Sequence, residues 1–169
     1  MPVGFAFTVL YFWAARPRVW SLAMGALIAA AGLSVRAVAS GHVTKNEALT
    51  MSGPYAYVRN PLYLGSTVIA TGFAVAARSV WIAIAMIAIF IIIYLPVIRS
   101  EEAFLRAKFP EFDDYVHHVP RFLPRHPPYG TAGGSFSWDL YRKHREYNAV
   151  IGAVLMISVL VAKMIWLTK

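Results

Sequence analysis

The stretch Gly53-Pro54-Tyr55-Ala56-Tyr57-Val58-Arg59-Asn60-Pro61-Leu62-Tyr63-Leu64-Gly65 stands where a polar loop meets a long apolar run. Asn60-Pro61 reads as a helix start: Asn is a strong N-cap, and proline at the first helical position gives up only an N–H that had no partner. Gly53-Pro54 demands a turn, because the residue ahead of a proline avoids helical angles. Two tyrosines and an arginine are thereby held on a stiff loop facing a helix N-terminus, which favours anionic groups through its free N–H groups and its dipole. The same residues also suit an interfacial aromatic belt with a basic anchor.

Working outward, the 169-residue chain is 59% hydrophobic and only 14% charged, a balance that points to an all-α integral membrane protein. It contains no cysteine, which excludes disulfides, thiolate metal sites and a cysteine nucleophile. The net charge of +8 is explained in a membrane chain by loop orientation and attraction to anionic headgroups, so no nucleic-acid partner is expected. The first fifteen residues have neither a basic n-region nor a small-residue cleavage site, and no removable signal peptide is expected.

Five apolar segments are legible, at about 3–15, 19–39, 61–77, 80–98 and 148–167. The first is short for a hydrocarbon core of about 30 Å and reads either as a short, snorkelling span or as the first arm of a helical hairpin. The second carries Ala29-Ala30-Ala31-Gly32, small residues that permit close helix contact, and Arg36 near its end is placed to snorkel. Only Arg78-Ser79 separates the third and fourth, which must form an antiparallel hairpin. Pro96 is expected to kink the fourth helix near its end. Lys163 in the last span must snorkel or face protein. No internal repeat or domain boundary is visible, and the whole of 1–169 reads as a single domain.

Residues 99–147 differ in character, with eight of the sixteen Lys/Arg and seven of the eight Asp/Glu. If this tract and loop 40–60 share one side, that side holds Arg36, Lys45, Arg59 and those eight, against Arg16, Arg18, Arg78, Lys163 and Lys169 opposite. The imbalance places both polar segments in the cytoplasm, with the N-terminus inside and the C-terminus outside. Segments 40–65 and 99–125 then converge at the two ends of one helical hairpin.

Arg99-Ser100-Glu101-Glu102 lies at the mouth of the fourth span. It reads either as the capped, solvated start of a helix over 101–108 or as a site where one carboxylate holds a cationic ligand group beside the membrane. Phe109, Phe112 and Tyr115, spaced by three, suit an amphipathic helix lying on the bilayer. The segment 119–134, with four prolines and three glycines, is expected to be irregular, and Ser137-Trp138-Asp139 to start a helix that runs into the last span. The five histidines show no ligand spacing, so no metal is expected. No G-x-S-x-G, Walker or G-x-G-x-x-G pattern occurs.

Leu49-Thr50-Met51-Ser52-Gly53-Pro54-Tyr55, followed by Tyr57-Val58-Arg59-Asn60-Pro61-Leu62-Tyr63-Leu64-Gly65 and, past the hairpin, Glu101-Glu102, Leu105, Phe109, Tyr115 and Val119-Pro120-Arg121, resembles the isoprenylcysteine carboxyl methyltransferase and phospholipid methyltransferase group of integral membrane enzymes. The resemblance covers roughly residues 40–125. It implies S-adenosylmethionine as methyl donor in a cytoplasmic pocket built from loops and a short amphipathic helix, with Glu47, Ala48, Leu49, Thr50, Tyr55, Asn60, Pro61, Leu62, Tyr63 and Glu101 lining the cofactor. Many relatives have histidine where Asn60 stands. The substrate-side arginine of eukaryotic relatives falls on Val97, and Arg99 is its nearest replacement.

The resemblance further implies a lipid or lipidated acceptor in the cytoplasmic membrane of a prokaryote. A carboxylate acceptor needs only a cation to orient it, for which Arg99 or Arg59 would serve. An amine acceptor such as a phospholipid amine must lose a proton, which calls for a base such as Glu102. An NADPH-dependent membrane reductase of the sterol-reductase kind and a non-catalytic membrane module are the alternatives.

Overall fold

The computed structural model describes residues 2–43, 48–130 and 134–167, and every described element is helical. Helices α1 (Pro2–Ala14), α2 (Val19–Ser40) and α3 (Pro61–Ala77) are followed by α4 (Val80–Lys108), α5 (Phe112–His118), α6 (Trp138–Lys143) and α7 (Tyr147–Leu167). A single 3-10 turn, Gly53–Ala56, precedes α3. Helices α2, α4 and α7 are long and apolar enough to cross a membrane, and α3 is a shorter apolar helix of 17 residues.

Helices α2 and α3 form the closest pair because glycines face each other across them. A Cβ on Gly25 would stand 2.5 Å from the Gly72 carbonyl oxygen, and one on Gly72 would stand 2.6 Å from that of Gly25. Two turns along, Gly32 and Gly65 repeat the relation at 2.7 and 2.8 Å. Backbone lies against backbone, the contact that small residues allow where lipid supplies no hydrophobic drive.

At the bundle end remote from the Gly53–Gly65 loop, Tyr11, Leu22, Ile82 and Leu160 are buried around Ala76 and Ala77. The Tyr11 hydroxyl donates to the Phe73 carbonyl at 2.9 Å, and the Arg16 amide donates to that of Ala77 at 2.8 Å. Lys163 faces protein: its ammonium donates to the carbonyls of Phe12 and Trp13 at the end of α1, where a helix terminus favours a cation.

One expectation for α4 changes. No helix starts at Ser100, since α4 continues unbroken to Lys108. Pro96 lies inside it. Proline removes one backbone N–H and crowds the carbonyl four residues earlier. The turn just before it, Phe90–Tyr94, is widened to a π-helix in which the Leu95 amide donates to the Phe90 carbonyl.

The helix expected from Ser137 into the last span is also interrupted. Ser137 caps α6 through a 3.3 Å bond from the Leu140 amide. Arg145 then adopts a left-handed conformation (φ 53°), so α7 starts afresh at Tyr147 with Glu146 in the break.

Candidate functional site

The two sequence blocks on either side of the α3–α4 hairpin are stitched together by main-chain bonds. The Arg59 amide donates to the Pro120 carbonyl, Arg125 to Tyr57 and Tyr129 to Ala56, each at 2.9 Å. Gly53, at φ +57°, closes the turn beneath them, and a Cβ there would meet the His42 ring at 2.5 Å. The Tyr115 hydroxyl donates to the Tyr55 carbonyl at 2.7 Å, and burial raises this hydroxyl well above the usual tyrosine range.

The apolar face of helix α5 is covered by protein. Phe112, Tyr115 and Val119 are 1%, 2% and 0% exposed and form the core of a cap with Leu49, Met51 and Leu105. The apolar spacing is real, but its face is spent on the loop before α3.

Glu102 is the hub of this cap. Its carboxylate accepts from Arg121 Nη2 at 2.5 Å and Nε at 3.1 Å, and from Asn60 Nδ2 at 3.0 Å. Asn60 therefore occupies the N-cap position of α3 without capping it, because its amide is turned to Glu102. Arg59 is less well served. Its Nη1 lies 3.7 Å from Glu102 Oε1, and its Nε is buried without a hydrogen-bond partner. Burial pulls its guanidinium below its ordinary value, an effect the Glu102 charge opposes.

These groups border a cavity of about 490 Å³, within the range that holds a drug-sized ligand. Of the residues marked from sequence, Ala48, Leu49, Thr50, Tyr55, Arg59, Asn60, Pro61, Leu62, Tyr63, Glu101 and Glu102 all line it. Glu47 lies outside the described residues. Arg99 does not line the cavity and is exposed, as α4 turns that side away. Glu101 is an exposed carboxylate at the cavity's edge, near Tyr63.

Sequence reasoning missed three contributors. Arg36 does not snorkel; it grips Glu146 through Nη2 at 2.6 Å and Nε at 3.0 Å, and its Nη1 donates to Ser66 Oγ at 2.6 Å. Gly65 makes the crossing possible, since a Cβ there would meet Arg36 Cγ at 2.6 Å. Glu146, from the break before α7, is thus brought to the cavity wall. Tyr94 is the third. It and Ser66 line both this cavity and a second one of about 640 Å³, an apolar groove between α3 and α4.

Among the described residues no three His, Asp or Glu side chains are grouped to hold a metal ion.

A family model described as phospholipid methyltransferase matches residues 21–111. The nickel-cobalt-cadmium resistance protein NccN of Alcaligenes xylosoxydans xylosoxydans is 40% identical over 81 residues, which are 48% of this chain and 38% of that protein. The cobalt-zinc-cadmium resistance protein CzcN of Cupriavidus metallidurans is 34% identical over 104 residues, 62% of this chain and 47% of its own. The matches span less than half the length of these two relatives. No solved structure matches.

Proposed function

The chain belongs to the phospholipid methyltransferase family, and we propose that it is an S-adenosylmethionine-dependent membrane methyltransferase acting on a lipid or lipidated acceptor. The observation that carries this reading is Arg59, a half-buried cation whose Nε has no partner, at the wall of a ligand-sized cavity beside the exposed carboxylate of Glu101. Buried polar groups left unpaired are rare and costly. An amino-acid head group, anionic at one end and cationic at the other, would pair with the Arg59 guanidinium and with Glu101.

In this reading Arg59 and the N-terminus of α3 hold the donor's carboxylate, and Glu101 holds its ammonium. Ala48, Leu49, Thr50 and Tyr55 wall the rest of the cavity, and Glu47 completes the set by its sequence position. Glu102 positions rather than reacts, because Arg121 and Asn60 already occupy its oxygens. It fixes the Arg59 loop against α4.

When bound, the donor supplies a methyl group whose bond pair returns to sulfur as a lone pair of the acceptor forms the new bond. The chain's own task is to align and desolvate the partners, which is worth several kcal/mol in such transfers. An acceptor already ionised at neutral pH, such as a lipid carboxylate, needs no base, which fits a cavity whose Glu102 is engaged. Arg99, turned away from the cavity, is left to the membrane surface.

The α3–α4 groove, apolar and opening beside Tyr94, gives the acceptor's hydrocarbon chain a path from the bilayer. We place all five apolar segments across the membrane as one domain, with the cavity on the cytoplasmic side of a prokaryotic cytoplasmic membrane. The basic bias of segments 40–60 and 99–147 supports this orientation. The resistance names of the two relatives give no acceptor.

The test is incubation of membranes holding the full chain with methyl-labelled S-adenosylmethionine and a lipid extract. Label passing into the lipid phase, with S-adenosylhomocysteine released, is expected. No transfer beyond membranes lacking the protein would contradict the reading.

A further inference from the structure

The neck between the polar cavity and the apolar groove is aromatic. Tyr63 and Tyr94 meet there edge to face, with ring centroids 5.6 Å apart and planes at 88°, forming a right-angled corner. Tyr63 lines the polar cavity, and Tyr94 lines both spaces. The corner is braced from behind: Tyr94 stacks on Phe90 at 5.9 Å and 17°, and Phe90 meets Phe122 at 5.7 Å. Phe90 and Tyr94 are the two ends of the π-helical turn. Such single wide turns are frequent at functional sites, and this one carries the ring that joins the two spaces.

A ring face left open beside the edge of a second, perpendicular ring is a surface suited to a cation that is not a strong hydrogen-bond donor. A sulfonium is such a cation, and so is a quaternary ammonium. Glu101, near Tyr63, adds negative charge beside the corner. From this geometry we infer that Tyr63 and Tyr94 form a sulfonium-binding corner, holding the donor's charged sulfur at the point where the polar cavity opens onto the acceptor groove. This rests on the methyltransferase reading and adds to it a place for the reacting centre and a reason for the π-helical turn.

The consequence is selective binding of the charged donor over its neutral product. Once the methyl group leaves, the sulfur is an uncharged thioether, and the attraction to the rings falls away. The corner therefore favours product release without any change in the contacts to the amino-acid head group.

The test is calorimetric titration of the full chain in lipid nanodiscs with S-adenosylmethionine and with S-adenosylhomocysteine, comparing wild type, Tyr94→Phe and Tyr94→Leu. The wild type and Tyr94→Phe are expected to prefer the sulfonium. Tyr94→Leu is expected to lose that preference by roughly three- to thirtyfold, the span of a partly to well-desolvated cation–π contact, while its affinity for S-adenosylhomocysteine changes by less than about threefold. Equal loss for both ligands, or an unchanged preference, would overturn the inference and leave the donor site standing. Binding of neither ligand to the wild type would overturn both. Tyr63→Leu serves as the second variant if Tyr94→Leu does not fold, read by the ratio of its two affinities: a reduced preference for the sulfonium is expected, and an unchanged one would overturn the inference.

Discussion

Arg121 and Glu102 meet at 2.5 Å across the two sequence blocks that flank the α3–α4 hairpin. The same carboxylate takes the side-chain amide of Asn60, so one residue on α4 fixes both the start of α3 and the segment after α5. The cavity wall is held in shape by this pairing, and Arg59 is left under-partnered beside it.

Glu102→Gln is expected to lower stability by about 1–3 kcal/mol, the cost of leaving charged partners without their acceptor in a mostly buried place. Arg121 is a third exposed, and Arg121→Ala should therefore cost less, about 1 kcal/mol. Thermal unfolding in detergent, followed by circular dichroism, checks the order. Equal, negligible effects would show that the hub is solvated.

Glu101→Gln is expected to weaken S-adenosylhomocysteine binding by about 1.5–3 kcal/mol, the range for a charge-assisted bond. Arg99→Ala is expected to leave it unchanged, because Arg99 stands outside the cavity. Titration of both variants separates the two faces of α4. A large loss with Arg99→Ala would contradict the placement.

Arg36 and Glu146 should show strong coupling. Removing either one leaves the other charged and mostly buried, whereas removing both does not. In a double-mutant cycle of Arg36→Met and Glu146→Leu, a coupling of about 1–3 kcal/mol is expected in unfolding. Additive effects would mean that the bidentate contact contributes nothing.

The glycine seam gives a paired prediction. Gly72→Ala places a methyl group 2.6 Å from the Gly25 carbonyl oxygen and is expected to cost about 1–3 kcal/mol as the helices part. Gly152→Ala meets nothing within 4 Å and should be neutral or stabilising by up to about 1 kcal/mol, since alanine is the better helix former. The melting temperatures of the two variants decide it.

Much of this was legible in the sequence where the signal is local. The apolar runs marked the helices, Gly53-Pro54 marked the turn, and two motif blocks marked most of the cavity wall. What escaped depends on partners far along the chain. Asn60 looked like a helix cap because its rival partner, Glu102, lies 42 residues away. Arg36 looked like a snorkelling anchor because Glu146 is 110 residues away. Phe112 and Tyr115 have the spacing of a bilayer-facing helix, and periodicity alone does not say whether protein or lipid covers an apolar face. The neck at Tyr94 had no sequence signal beyond Pro96, whose effect on the preceding turn was expected as a kink.

The most direct test of the central claim is titration of the purified full chain with S-adenosylhomocysteine and, in parallel, with NADPH. One-to-one binding of S-adenosylhomocysteine, weakened by Arg59→Met and by Glu101→Gln, with no heat from NADPH, is the predicted result. No binding of S-adenosylhomocysteine by folded wild-type protein would contradict it.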